Sequence, residues 1–146
     1  MKKIILATDH AGFELKERMK IFLQGKGYEV IDKGALHYDE DDDYPDFIIP
    51  AAREIAKTKS MGIIFGGSGQ GEAISANKVK GIRAAVYNTN NPELARLART
   101  HNNANVLSIG ARFVSEKNAI KAAEIFLSTE FSREKRHIRR IRKIEK

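Results

Sequence analysis

The stretch Met61-Gly62-Ile63-Ile64-Phe65-Gly66-Gly67-Ser68-Gly69-Gln70-Gly71-Glu72-Ala73-Ile74-Ser75-Ala76-Asn77 passes from a short apolar run through four closely spaced glycines into an amphipathic segment. Residues 62–65 are continuously apolar rather than alternating, as expected of a strand covered on both faces. The glycines at 66, 67, 69 and 71 mark a tight connection, and residues 70–79 have helical character. Strand, glycine turn and helix in immediate succession form the unit of a parallel α/β sheet.

The same alternation extends outward in both directions. Strand-like runs occupy 4–7, 28–31, 83–86 and 105–109, and helical stretches lie at about 12–24, 46–58, 91–100 and 115–127. A last helix over about 132–144 carries Ile138, Ile141 and Ile144 on one stripe and Arg136, Arg140 and Lys143 on another. The pattern predicts a Rossmann-like three-layer α/β sandwich: a five-stranded parallel sheet with right-handed crossovers and a C-terminal helix. No solenoid period or low-complexity linker interrupts it, and 146 residues at 42% hydrophobic content correspond to one domain, 1–146.

No apolar run approaches the roughly 20 residues that span a bilayer, and Met1-Lys2-Lys3 leads straight into a strand, so a cytoplasmic protein without membrane contact is expected. The absence of cysteine excludes disulfides, thiolate nucleophiles and Cys-based zinc sites. Chemistry falls to carboxylates, histidines, hydroxyls and backbone. The net charge of +7 is uneven, because residues 132–146 hold eight Lys/Arg against two Glu. Such a tail suits a polyanion or a single phosphate equally. The acidic run Asp39–Asp43 reads as a solvated loop; a divalent-cation site there would need converging ligands.

In open parallel sheets ligands bind beyond the carboxyl ends of the strands. Asp9-His10 follows the first strand and the glycine loop follows the third, so the two face each other if those strands are neighbours. Asp9 is a candidate N-cap for the helix beginning near Gly12 and a candidate site residue, and the roles can coexist. His10 is either an isolated histidine or a partner of the anion-binding loop. The loop presents backbone N–H groups beside a helix N-terminus, which favours an anion or oxyanion. It is not a P-loop, which would need Lys after Gly71, nor a dinucleotide fingerprint, which would need Gly at 72. Glu72 stands at the deciding position. It is either a general base for carbon-acid chemistry or a first-turn glutamate worth about 0.3–1 kcal/mol to the helix. Ser68 can cap the same helix or donate to an oxyanion. His101-Asn102-Asn103 precedes the fifth strand, at the amino end of the sheet, out of reach of Glu72 in the same chain. His101 is therefore a surface or capping residue, or a second subunit completes the site.

Taken together, Asp9-His10-Ala11-Gly12, Asp43-Tyr44-Pro45, the loop Gly66 to Glu72, Ala76-Asn77-Lys78, Gly81-Ile82-Arg83 and His101-Asn102 resemble the type B ribose-5-phosphate isomerase family nearly end to end. Its wider family includes galactose-6-phosphate isomerase subunits and isomerases of other phosphorylated sugars. The resemblance implies an aldose–ketose isomerase interconverting ribose 5-phosphate and ribulose 5-phosphate through an enediolate, after ring opening, with no metal and no cofactor. One branch of the family has Cys where this chain has Gly66; the other has Gly and uses a Glu further along the loop, as Glu72 would be here. By resemblance His101 opens the furanose with help from Asp9, Glu72 moves the proton between C2 and C1, the amides around Gly67, Gly69 and Gly71 hold the enediolate oxygen, and Ser68 assists at the hydroxyls. His10, Arg112, Arg136 and Arg140 match phosphate-binding positions, Asn102 a substrate contact and Tyr44 a pocket wall. A homodimer or tetramer with shared active sites is implied. Alternatives are an isomerase of allose 6-phosphate, galactose 6-phosphate or a four-carbon sugar phosphate on the same fold. A polyanion-binding module driven by the Arg-rich end belongs to a different class and leaves Asp9, Glu72 and His101 without a role.

Overall fold

A computed structural model describes residues 2–146, and among them the chain forms five strands and six α-helices in strict alternation until the last two helices. The strands are β1 (Lys3–Thr8), β2 (Glu29–Asp32), β3 (Met61–Gly66), β4 (Ala84–Tyr87) and β5 (Val106–Gly110). The helices are α1 (Phe13–Gly25), α2 (Pro45–Thr58), α3 (Gln70–Asn77), α4 (Glu93–Thr100), α5 (Glu116–Ser128) and α6 (Lys135–Ile144), and a 3-10 turn at His10–Gly12 leads into α1. All pairings are parallel, in the order β2-β1-β3-β5-β4. The predicted three-layer α/β architecture is therefore the observed one.

The continuous apolar runs are explained by two separate cores. Ile4, Leu6, Ile63, Phe65, Leu107 and Ile109 point to one face and pack with Met19 and Leu23 of α1, Ala95 and Ala98 of α4 and Phe126 of α5. Ile5, Ala7, Ile64 and Val106 point to the other face, against Ile48, Ala51 and Ile55 of α2 and Ala76 of α3. Alternate residues of each strand thus serve opposite layers, which is why the runs are apolar on both faces; the buried strand hydroxyls of Thr8 and Ser108 each have a carbonyl partner. Among the described residues no helix is long and apolar enough to cross a membrane.

The connection after β2 is anchored by a buried lysine. Lys16 of α1 is fully buried, and its Nζ donates to both oxygens of Asp32 and to the Ala35 carbonyl, each at 2.7 Å. Burial pushes the Asp32 carboxyl up, but Lys16, Lys20 and the Gly34 N–H outweigh it and hold it below its usual range. This pins the start of the 36–44 segment, which returns over the carboxyl end of the sheet.

The last helix departs from expectation. It begins at Lys135 rather than near Ser132, because Arg133 adopts a left-handed φ of 62° and Glu134 is extended. Of the isoleucine stripe, Ile138 and Ile141 are half-buried while Ile144 is 66% exposed; the buried residue of α6 is His137. The helix lies outside the three layers. It is held by the Ser132 N–H to the Thr100 carbonyl (3.3 Å) and by Arg83 to Glu145 (2.8 Å).

Candidate active site

Because β1, β3 and β5 are neighbours, the loops after them converge at the carboxyl edge of the sheet. Thr8 pairs with Phe65 and Gly66 with Gly110, which sets Asp9, the glycine loop and Ala111-Arg112 side by side. The Thr8 hydroxyl, donating to the Phe65 carbonyl at 3.1 Å, ties the first two loops together.

The glycine loop is fixed through its carbonyls. Those of Gly66 and Gly67 accept the N–H groups of Ala111 (2.8 Å) and Arg112 (3.0 Å), that of Ser68 accepts Asn88 Nδ2 (3.2 Å), and that of Gly69 accepts the buried Ser108 hydroxyl (2.6 Å). In a trans peptide the following N–H points opposite to the carbonyl. Four tethered carbonyls therefore turn the N–H groups of 67–70 away from β5. Gly69 makes the turn possible with a φ of 81°. The Ser68 Oγ accepts the Gln70 N–H at 3.2 Å, although the N-cap position of α3 itself belongs to Gly69, which has no side chain to cap with; the Ser68 hydroxyl hydrogen is not consumed by that bond.

Glu72 sits in the first turn of α3, 4% exposed. Its carboxyl group lies against the α-carbon of Gly66. Burial is the main force raising its pKa above the ordinary carboxylate value, the Asp9 charge adds to it, and the amides of Glu72 and Gly69 oppose. A carboxyl group raised above its ordinary value by burial is suited to accept and return a proton. Asp9 is 6% exposed and its Oδ1 accepts the Ala11 N–H at 2.9 Å, so it caps the turn and borders Glu72 at once. Tyr44, at the start of α2, packs its ring on Gly71, and the Arg112 guanidinium lies over Gly67.

His10 lies beside this group, half-buried. Its Nδ1 and its backbone N–H both meet Asp42 Oδ1, at 2.7 and 3.1 Å. The Asp42 hydrogen bond is the chief cause of a raised His10 pKa, aided by the charges of Asp9 and Asp42 and opposed by burial and Arg112. A cleft of about 500 Å³ opens there, lined by His10, Phe13, Tyr38 and Arg112 with Glu14 and Glu17. Sequence reasoning missed Asp42. The expected solvated loop is correct for Asp39, Glu40, Asp41 and Asp43, which are exposed, whereas the Asp42 side chain is 7% exposed. Nothing local distinguishes it from its neighbours, since its partner lies 32 positions away. Asp9, His10 and Asp42 bring ligand atoms within 4.8 Å of one another, so one member of the acidic run does converge with other polar groups.

The remaining candidates lie elsewhere. Helix α4 runs back from the carboxyl edge, leaving His101 as its C-cap at the amino end, with His101 and Asn102 exposed. The His101 ring stacks on His137 of α6 (centroids 4.4 Å apart, 21° between planes), and Arg136 and Arg140 extend from the same helix. The chain therefore carries two groups at opposite ends of its sheet. One comprises Asp9, His10, Tyr44, Gly67, Ser68, Gly69, Gly71, Glu72 and Arg112; the other comprises His101, Asn102, Arg136 and Arg140. Apolar side chains stand exposed on Ile74 of α3, Val86 of edge strand β4, and Leu94 and Leu97 of α4.

The fold is one shared with known proteins. Residues 4–144 match the family model described as Ribose/Galactose Isomerase. Ribose-5-phosphate isomerase B of Mycobacterium tuberculosis (strain H37Rv) is 48% identical over 140 residues, covering 95% of this chain and 85% of that one. The crystal structure of ribose-5-phosphate isomerase B from Mycoplasma genitalium with bound ribulose-5-phosphate superposes with a TM-score of 0.93 at 41% identity, covering 98% of this chain and 93% of the other. The Thermotoga maritima ribose 5-phosphate isomerase gives a TM-score of 0.92 at 45% identity, covering 99% and 97%.

Proposed function

The chain belongs to the ribose/galactose isomerase family, and we propose that it interconverts ribose 5-phosphate and ribulose 5-phosphate by moving one proton between C2 and C1. The observation that carries this reading is Glu72: a buried carboxyl group with a raised pKa, held against Gly66 beside a loop whose amides turn away from β5. Ribulose 5-phosphate in the Mycoplasma genitalium relative supports the choice of substrate.

The chemistry follows from the groups present. His101, assisted by Asp9, exchanges a proton with the ring oxygen and opens the furanose to the aldehyde. Glu72 then removes the C2 proton. Negative charge develops on the C1 oxygen, where amides of the 67–71 loop stabilise it; one such donor typically contributes about 2.7–4 kcal/mol. Glu72 returns its proton to C1 while the O2 hydroxyl proton is exchanged for one on O1, with Ser68 as the adjacent hydroxyl, and the ketose results. His10, Arg112, Arg136 and Arg140 hold the phosphate as charge-assisted donors, Asn102 contacts the sugar and Tyr44 walls the pocket.

His101, Arg136 and Arg140 act, in this reading, across a homodimer interface. Their separation from Glu72 by the length of the sheet supports it, as do the exposed Ile74, Val86, Leu94 and Leu97 flanking the edge strand. A twofold axis would give two identical sites, each with Glu72 from one subunit and His101 from the other. A phosphorylated sugar as substrate is in keeping with the cytoplasmic location expected from the sequence.

The test is an aldose–ketose assay across ribose 5-phosphate, allose 6-phosphate, galactose 6-phosphate and erythrose 4-phosphate, with and without a chelator. The highest kcat/KM is expected for ribose 5-phosphate, unchanged by chelation. Preference for another of these sugars would move the substrate and keep the reaction; no isomerisation of any would overturn both.

A further inference from the structure

We infer that Asp42 is a positioning residue that fixes the His10 ring so that its outer nitrogen donates to the substrate phosphate. The inference rests on the reading of His10 as a phosphate ligand. It gives one residue of the acidic run a function that its neighbours do not share.

A single oxygen, Asp42 Oδ1, receives both the backbone N–H of His10 (3.1 Å) and the ring Nδ1 (2.7 Å). Two attachments to one atom leave the imidazole little freedom about its first torsion. The Tyr38 ring, its centroid 6.2 Å from that of His10 and its plane inclined at 88°, packs on the imidazole in a T-shaped contact. With Nδ1–H given to the carboxylate, a neutral ring would carry a lone pair on Nε2, which repels a phosphate oxygen. Only the imidazolium places a hydrogen there. Orientation and protonation are therefore one requirement, and a carboxylate on Nδ1 meets both.

A second observation agrees. Asp42 Oδ2 is buried and, among the described residues, has no hydrogen-bond partner. A buried carboxylate with one bare oxygen is costly unless an opposite charge lies beside it. A protonated His10 is that charge. The other groups around the ring are Asp9 before it, Arg112 from the loop after β5, and Glu14 and Glu17 of α1, which line the same cleft. Burial and Arg112 oppose protonation and Asp9 and Asp42 favour it, but Asp42 alone among these groups contacts the ring directly.

Asp42→Asn keeps the shape and the acceptor oxygen while removing the charge. Its test combines an NMR titration of the His10 ring with KM and kcat for ribose 5-phosphate between pH 5.5 and 9. The wild-type His10 is expected to titrate above the ordinary value of about 6.5, and in the variant to fall back towards it. The ratio of variant to wild-type KM, in which the titration of the substrate phosphate cancels, is expected to approach one at pH 5.5 and to reach about 10-fold or more at pH 8. The fall in kcat should be much smaller than that in kcat/KM, and Asp42→Glu should restore part of the affinity. A wild-type His10 that titrates at or below 6.5, a titration unmoved in the variant, or a KM ratio independent of pH would each overturn the inference, and the first needs no variant to fold. His10→Ala separates the two levels: normal KM in that protein defeats the phosphate role itself, whereas a raised KM with an unmoved His10 titration in Asp42→Asn defeats only the role of Asp42.

Discussion

The carboxyl group of Glu72 occupies the space in which a Cβ on Gly66 would stand. The last residue of β3 must therefore lack a side chain for the carboxylate of α3 to rest on the strand. This gives a physical reason why a side chain at 66 and a working Glu72 exclude each other. Gly66→Ala is expected to push the carboxylate aside and lower kcat by about 100-fold, the usual consequence of an ångström-scale misplacement. Steady-state kinetics with KM little changed would match; near-normal kcat would show that Glu72 works from another position.

The burial of Glu72 comes at the expense of stability. Burial holds its folded-state pKa above the unfolded value of about 4.5. Between those two values the folded protein binds more protons than the unfolded one, so this group's contribution to stability declines as pH rises through that window. Glu72→Gln should abolish most activity, by roughly 10²–10⁴-fold. The same variant should melt higher than wild type at pH 8, by about 2–4 °C for each kcal/mol relieved. The advantage should shrink as pH falls towards 4.5. Thermal melts at pH 5 and 8 check the sign, and a lower melting temperature at pH 8 would contradict the buried-charge account.

Glu72→Gln and His101→Ala proteins, each inactive, are expected to regain activity on subunit exchange. Half of the dimers in a random mixture are mixed, and each mixed dimer holds one intact site, so recovery should approach about a quarter of wild-type activity. Exchange followed by mass spectrometry, with no activity gained, would return both residues to one chain.

Lys16 is a structural counterpart with no part in the chemistry. Lys16→Met leaves Asp32 with Lys20 and the Gly34 N–H, and strips the Ala35 carbonyl of its donor. A loss of about 3 kcal/mol is expected, near the low end for breaking a buried pair because one lysine remains. Urea unfolding measures it. The 36–44 segment should loosen first, visible as faster amide exchange there than in β3.

What the sequence disclosed follows the range of the interactions concerned. Ile63, Ile64 and Phe65 announce a buried strand because both faces of β3 are covered, and a continuous apolar run is a local signal. Gly69 and Glu72 are legible because a turn and a helix start are also local. Asp9 is legible as a cap, since a cap is a contact between near neighbours, here on the turn His10–Gly12 that leads into α1. The order of the strands is different: β5 inserts between β3 and β4, and that insertion decides that Arg112 meets Gly67. Lys16 looks like any surface lysine of a helix until Asp32 and Ala35 close around it. Asp42 and His137 depend on partners 32 and 36 positions away. The exposure of Ile144, which periodicity placed on an apolar stripe, reflects a helix that has no layer to lie on.

Helix α6, outside those layers, concentrates charge in space as well as in sequence. Residues 132–146 hold eight of the 26 Lys/Arg and only two of the 19 Asp/Glu. A phosphorylated sugar diffusing towards the protein meets that field before it meets any pocket, and attraction of this kind raises encounter rates steeply at low salt. Added salt should therefore slow capture more than conversion, lowering kcat/KM while kcat holds. A helix that contributes little to the core would in this way set how quickly the enzyme finds dilute substrate.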